Sequence, residues 1–132
     1  MIVVDACVVA NALADDGDRG EAARLILSQS RDLSAPDLVN VETVSVLRRR
    51  WLAGDLTAPR FRSAVDDLDD LPLDRYPSHA FMRRAYELRA NVTAYDAAYV
   101  ALAEALDCPL VTADERLANA PGPRCDFHVL RP

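Results

Sequence analysis

The chain has 132 residues, 51% of them hydrophobic, which suits one domain with a sizeable core and excludes extended disorder. Its net charge is −6 and its pI about 4.8. This acidity argues against a protein that coats nucleic acid irrespective of sequence, because that role needs a basic surface, but it does not exclude a nuclease whose metal ions meet the phosphate.

Strand and helix signals alternate through the first half of the chain. Continuous apolar residues at the start are typical of a strand buried on both faces. Asp37 is a plausible N-cap for the third helix, and Gly54 is its stop signal. The predicted elements are strand Ile2–Val4, helix Ala6–Ala14, a turn at 15–18, helix 21–30, strand Leu33–Pro36 and helix 38–53.

The second half continues the alternation. Thr57 and Ser78 are predicted to cap the helices that follow them, and Pro72 makes a weak strand at 71–73 resemble an edge strand. Helix 97–106 is apolar nearly all round and should be buried. The predicted elements are helices 57–68, 78–90, 97–106 and 115–120, and strands 71–73, 108–112 and 126–130. This order predicts an α/β fold with a mainly parallel sheet, whose site lies beyond the carboxyl ends of the strands.

Four acidic residues stand at places where a carboxylate is costly. Asp5 closes the first strand, Asp96 opens the apolar helix, and Asp114 follows the next strand. Glu42 lies in a helix with apolar residues one turn away on each side. Buried carboxylates are unfavourable unless they are paired or metal-bound. The four acids therefore predict a divalent-cation site and phosphodiester chemistry.

Each acid also has a purely structural interpretation. Asp5 could cap the next helix, and the patterns Thr93-x-x-Asp96 and Thr112-x-x-Glu115 both match a capping box. Taken singly, capping is the better interpretation. Taken together, carboxylates about 4 Å apart repel by roughly 4 kcal/mol at a dielectric constant of about 20, so convergence needs a counter-charge. Mg²⁺ or Mn²⁺ would supply it, since hard cations prefer oxygen ligands.

Four stretches of the chain resemble the PIN-domain ribonucleases, and most closely the VapC-type toxins of bacterial toxin–antitoxin pairs. They span nearly the whole chain, and the third and fourth are the most specific. The stretches are IVVDA at 2–6, APDL at 35–38 running on to Glu42 and 47–49, TAYDAAYVALA at 93–103, and LVTADERL at 110–117.

The resemblance implies a single PIN domain over residues 1–132, with a central parallel five-stranded sheet flanked by helices. It implies an RNA endonuclease dependent on Mg²⁺ or Mn²⁺, with Asp5, Glu42, Asp96 and Asp114 as both catalytic and metal-binding residues. It also implies a homodimer that a cognate antitoxin neutralises. In a second tier, Asn11 matches a polar position often found near the family's site, and Thr112 could line that site.

Two features leave alternatives open. Cys7 stands where relatives frequently carry a small hydroxyl residue, and we interpret it as a small buried hydrophobe. Arg48, Arg49 and Arg50 end a predicted helix. They could contact RNA or an antitoxin, or they could complement the negative end of the helix dipole.

The remaining features bear on location and on rival functions. Three cysteines at unrelated spacings favour a reduced, cytoplasmic protein, and no apolar run is long enough to span a membrane. One rival function is a PIN-like module that binds protein partners and cuts nothing. Another is a phospho-accepting receiver domain, which would carry paired acids after the first strand and a late lysine. This chain has one acid there and no lysine.

Overall fold

Five strands form one sheet in which every pairing is parallel, in the order β3-β2-β1-β4-β5. The structure is a computed structural model, and it describes residues 1–131. The predicted α/β class with a parallel five-stranded sheet is confirmed. The strands are β1 Ile2–Val4, β2 Leu33–Pro36, β3 Leu73–Tyr76, β4 Leu110–Thr112 and β5 Phe127–Val129.

The helices form two packed groups around this sheet. In one group α1 contacts α2, α3 and α4, and in the other α6 contacts α5 and strands β1, β2 and β4. Because crossovers between parallel strands are right-handed as a rule, the strand order implies that the two groups lie on opposite faces of the sheet. No helix within residues 1–131 is long and apolar enough to cross a bilayer. The helices are α1 Ala6–Ala14, α2 Asp18–Gln29, α3 Val39–Leu52, α4 Ala58–Asp70, α5 Met82–Glu87, α6 Ala94–Leu106 and α7 Glu115–Ala118, with a 3₁₀ turn at Ser78–Phe81.

The main core lies on both faces of β1 and β4, whose residues Val3, Val4, Leu110 and Val111 are fully buried. Residues 97–103 of α6 are buried throughout, as their apolar character predicts. A second, smaller core is formed by Ala10, Val46, Leu47, Leu56 and Ala64. It holds α3, the helix that carries Glu42, against α1 and α4.

Two predicted caps are wrong, and one contact explains both. Leu38 occupies the N-cap position of α3 and makes no capping hydrogen bond with its side chain. The Asp37 carboxylate instead accepts hydrogen bonds from the backbone N–H of Ser78 at 3.1 Å and from the Ser78 hydroxyl. Ser78 is therefore not a helix cap, and residues 78–90 form a 3₁₀ turn followed by a short α5 rather than one helix.

Other boundaries differ from prediction by one to three residues. Strand 71–73 begins only at Leu73, after the proline, and β3 does lie at the sheet edge. Helix α2 begins three residues early, because the Asp15 carboxylate accepts the N–H groups of Gly17 and Gly20. Helix α6 likewise starts at Ala94. The predicted caps Thr57 and Thr93 are confirmed, with accepted N–H bonds of 3.3 and 3.2 Å.

The packing of α2 on the end of α1 requires a glycine. A Cβ at Gly20 would lie 1.7 Å from the carbonyl oxygen of Asp15. Alanine favours helix by about 1 kcal/mol over glycine, but the backbone clash should outweigh that gain. We expect Gly20→Ala to lower the free energy of unfolding by about 1–3 kcal/mol in urea titrations. The control Ser28→Ala, at an exposed site on the same helix, should change it by less than about 0.5 kcal/mol. A Gly20→Ala protein as stable as the wild type would contradict this packing.

Candidate active site

Three of the four predicted acids line one cleft. Asp5 follows the carboxyl end of β1, Glu42 lies in the first turn of α3, and Asp96 lies in the first turn of α6. Their common cleft has a volume of about 450 Å³. The topology thus brings together residues more than 90 positions apart in the chain, at the edge of the sheet that the sequence predicts.

Asp5 is held by two neighbours. Its Oδ1 accepts the backbone N–H of Val8 at 3.0 Å, which caps α1, and its Oδ2 accepts the Thr112 hydroxyl. The pKa of Asp5 is raised to about 6: burial is the largest cause, the charges of Asp96 and Asp114 add to it, and the two hydrogen bonds act in the opposite direction. Asp5 therefore caps α1 and at the same time lies in a desolvated, acidic environment.

Glu42 carries an unpartnered buried oxygen. Its Oε1 is buried, as is the Tyr99 hydroxyl, and neither atom completes a hydrogen bond within the part of the chain that is described. Tyr99 is nevertheless near enough for its hydroxyl to lower the pKa of Glu42. Desolvation is the larger effect and raises that pKa, as do the charges of Asp96 and Asp5. A free acceptor oxygen in an acidic cleft is a position at which a cation would be favourable.

Asp96 and Asp114 differ in their placement. Burial raises the pKa of Asp96, and the charge of Asp114 raises it further. Asp114 itself does not line the cleft; its Oδ1 accepts the N–H groups of Arg116 and Leu117 and caps α7. Its charge reaches the site, although its side chain is engaged in the cap.

Thr112 belongs to the site through Asp5. The residue is fully buried, and its hydroxyl also accepts the N–H of Asp114 at 3.1 Å. The predicted Thr112-x-x-Glu115 capping box is therefore wrong, because Asp114 caps α7 and the Thr112 hydroxyl is already used.

Asn11 and the three arginines occupy separate positions. Asn11 lies outside the carboxylate cleft and accepts a hydrogen bond of 2.5 Å from Arg50 Nη2. Arg49 lines the carboxylate cleft, where its charge lowers the pKa of Glu42. Arg48 is exposed and lines neither this cleft nor that of Asn11. Consecutive helical residues point about 100° apart, which separates the three side chains.

Two residues at the site were not predicted, or were predicted wrongly, from the sequence. Tyr99 lies in the apolar run of α6, and nothing in that pattern indicates that its hydroxyl lies near Glu42. Cys7 is exposed and lines the cleft, so its interpretation as a buried hydrophobe is wrong. Its place two residues after Asp5, in the first turn of α1, was the signal that could have indicated this exposure.

The donor set suits a hard divalent cation in its chemistry. Three carboxylates with raised pKa values face one cleft, and one of their oxygens has no partner. Within residues 1–131, however, no three such groups already stand at metal-binding distances from one point. Side chains would have to rotate when a cation binds. Glu42 and Asp96 are the side chains that can do so, because they lack the two hydrogen bonds that hold the Asp5 carboxylate.

Thr112 and Thr43 form a matched pair for testing this framework. Both are fully buried, but the Thr112 hydroxyl has two partners and the Thr43 hydroxyl has none within the described chain. We expect Thr112→Val to lower the free energy of unfolding by about 1–3 kcal/mol, because it leaves Asp5 Oδ2 and the Asp114 N–H without their hydrogen-bond partner. Thr43→Val should be neutral or stabilising. Urea titrations giving the two variants equal losses would contradict the assigned roles.

The raised pKa of Asp5 predicts a pH dependence of stability in EDTA. A carboxyl whose pKa rises from 3.8 to about 6 on folding stabilises the fold when protonated. That contribution is complete below about pH 4 and is lost as the pH rises through about 6. It is worth up to about 3 kcal/mol. Asp5→Asn should lack this part of the slope, and parallel stability curves for the two proteins would disprove the assignment.

Comparison with known proteins identifies the fold and its relatives. The PIN domain family matches residues 2–123. The chain is 44% identical over 130 residues to Ribonuclease VapC1 of Mycobacterium tuberculosis. This alignment covers 98% of this chain and 97% of that protein. Ribonuclease VapC9 of the same organism is also 44% identical, covering 98% of both chains.

Solved structures share the architecture at lower identity. VapBC2 from Rickettsia felis, bound to a DNA fragment from their promoter, aligns with a TM-score of 0.68 at 15% identity and covers 99% of this chain and 100% of that one. Mycobacterium tuberculosis VapC20, a sarcin-ricin loop cleaving toxin, aligns with a TM-score of 0.65 at 18% identity, covering 83% and 87%. The receiver-domain alternative is excluded by these matches, and the predicted resemblance is confirmed: the chain belongs to the PIN-domain family, within its VapC group.

Proposed function

We propose that this protein is an endoribonuclease that hydrolyses phosphodiester bonds of RNA and acts as the toxin of a toxin–antitoxin pair. The observation that carries the proposal is the cleft shared by Asp5, Glu42 and Asp96. It lies in a chain that matches proteins named ribonucleases over almost its whole length.

We infer that the cleft takes Mg²⁺ or Mn²⁺, held by Asp5, Glu42 and Asp96, with Asp114 adding its charge from beside them. Such an ion supplies Lewis-acid activation of a phosphoryl oxygen and a water nucleophile at neutral pH. Support comes from the free oxygen of Glu42 and from the raised pKa values of the three carboxyls, which are caused first by burial and then by neighbouring negative charges.

The protein's own groups position and balance these charges. Val8 and Thr112 hold the Asp5 carboxylate in one orientation. Burial keeps Glu42 partly desolvated, which strengthens its interaction with any cation. Arg49, on the wall of the same cleft, offers a guanidinium to the phosphate that enters it.

The proposed partners are an RNA substrate, a second copy of this chain and a cognate antitoxin, all met in the cytoplasm. Large apolar side chains exposed on α3 and α4, among them Trp51, Leu52 and Val65, support protein contacts on that side of the molecule.

One observation favours a second candidate, a silent PIN-like interaction module. Both oxygens of Asp5 already have partners, and within residues 1–131 the carboxylates do not yet converge on one point. A module of this kind would bind no divalent cation in the cleft, so metal binding distinguishes the two candidates.

Asp96→Asn tests the proposal. Purified wild-type protein should cleave RNA with Mg²⁺ or Mn²⁺ and not with EDTA, and Asp96→Asn should lose cleavage because it removes a proposed ligand. The matched control is Asp107→Asn, at the opposite end of α6, where the left-handed backbone suits asparagine. The control should cleave like the wild type. Cleavage by wild type that persists unchanged in EDTA would contradict the metal assignment.

The same variants separate a nuclease from a silent module by thermal stability. Without metal, Asp96→Asn should melt slightly above the wild type, because it relieves repulsion. With Mn²⁺ the wild type and Asp107→Asn should gain stability by mass action, and Asp96→Asn should gain less. Equal gains in all three proteins would place the ion elsewhere, and no gain in any would favour the silent module.

A further inference from the structure

A second cleft adjoins the first, at the carboxyl ends of β4 and β5. It has a volume of about 250 Å³, and its polar lining comes from Cys7, Asn11, Arg19, Arg50 and Arg131. We call it the arginine cleft. Three arginines line this cleft, so it is locally positive although the net charge of the protein is −6.

Two of the three guanidinium groups keep their charge available. Within residues 1–131 no carboxylate lies within 4.0 Å of Arg19 or Arg50, whereas Arg131 pairs with Glu115. Arg50 is oriented by Asn11, whose amide oxygen accepts its Nη2 at 2.5 Å. Asn11 is only 7% exposed, so its side chain is fixed by packing. A neutral anchor orients the guanidinium without neutralising it.

The arginine cleft is continuous with the carboxylate cleft. Cys7 lines both clefts. Arg49 lines the carboxylate cleft while Arg50 lines the arginine cleft. A polyanion that places one phosphate at the carboxylates must run onward, and the path over Cys7 leads it to two uncompensated arginines.

We propose that the arginine cleft binds a phosphate of the RNA strand neighbouring the one that is cut, through Arg50 and Arg19, with Asn11 as the positioning residue for Arg50. Arginine suits this role because its planar donor fork matches phosphate oxygens. The inference rests on the proposed ribonuclease function and adds a docking site, which sets where along the strand the carboxylates act.

Equilibrium binding tests the site without requiring cleavage. The probe is a short fluorescein-labelled single-stranded RNA of mixed sequence, measured in EDTA in an Asp96→Asn background. Arg50→Ala and Arg19→Ala should each weaken binding by about tenfold, the usual loss for one charge-assisted contact. Each should also flatten the dependence of log K on log salt by about 0.7, the value for one phosphate contact on a single strand.

Arg31→Ala is the matched control. It removes the same charge from an exposed position just before the amino end of β2, whereas the arginine cleft lies at the carboxyl ends of the strands. It should leave affinity and salt slope unchanged. Arg19 is also exposed, so its variant is safe against misfolding. Asn11→Asp provides a further arm, because a carboxylate at that position would neutralise Arg50 in place and should weaken RNA binding as Arg50→Ala does.

The outcomes separate this inference from the proposed function. If wild-type protein cleaves RNA but Arg50→Ala and Arg19→Ala bind the probe like Arg31→Ala, the docking site is wrong and the nuclease stands. If the wild type fails to cleave while the two variants still lose affinity and salt slope, the phosphate site stands and the nuclease fails. Loss of antitoxin binding with RNA binding intact would overturn the inference in favour of a protein partner.

Discussion

The hydrogen bond from Thr112 to Asp5 connects the ends of the two central strands, and the candidate site depends on it. Val4 pairs with Val111 in the parallel sheet, so the next residues along each strand meet just beyond the last rung. The bond lowers the pKa of a carboxyl that burial alone would raise still higher. Asp5 can thus remain in a desolvated position and still be ionised near neutral pH, which is what a cation-binding carboxylate requires.

The electrostatics of the surrounding surface follow from where helices meet the carboxyl edge of the sheet. Glu42 and Asp96 lie in the first turns of α3 and α6. Arg49 and Arg50 enter from the other end of α3, which the smaller core holds against α1. The carboxylate cleft and the arginine cleft therefore adjoin without neutralising each other, because Glu42 and Arg50 lie at opposite ends of α3 and Asn11 holds the Arg50 guanidinium. An acidic protein can in this way present a local path for a polyanion.

Several features could be predicted because short-range physics decides them. All five strands and the parallel α/β class followed from apolar runs alternating with amphipathic stretches. Thr57 and Thr93 are caps because the groups they bond lie three residues away. The predictions for Asp37 and Ser78 failed because these residues, 41 positions apart, bond each other. The predicted capping box at Thr112 failed for the same kind of reason, since the Thr112 hydroxyl donates its hydrogen bond to Asp5, 107 positions away.

The sequence by itself determined the kinds of element, the identity of the four acids and the family resemblance, since these depend on local pattern and residue type. Only the tertiary structure decided that Asp5, Glu42 and Asp96 share a cleft, that Asp114 is engaged in a cap, and that Cys7 is exposed between two clefts of opposite charge. The physical reason is that convergence, burial and competition for hydrogen-bond partners are properties of chain segments far apart in sequence, and they exist only once the sheet order has brought those segments together.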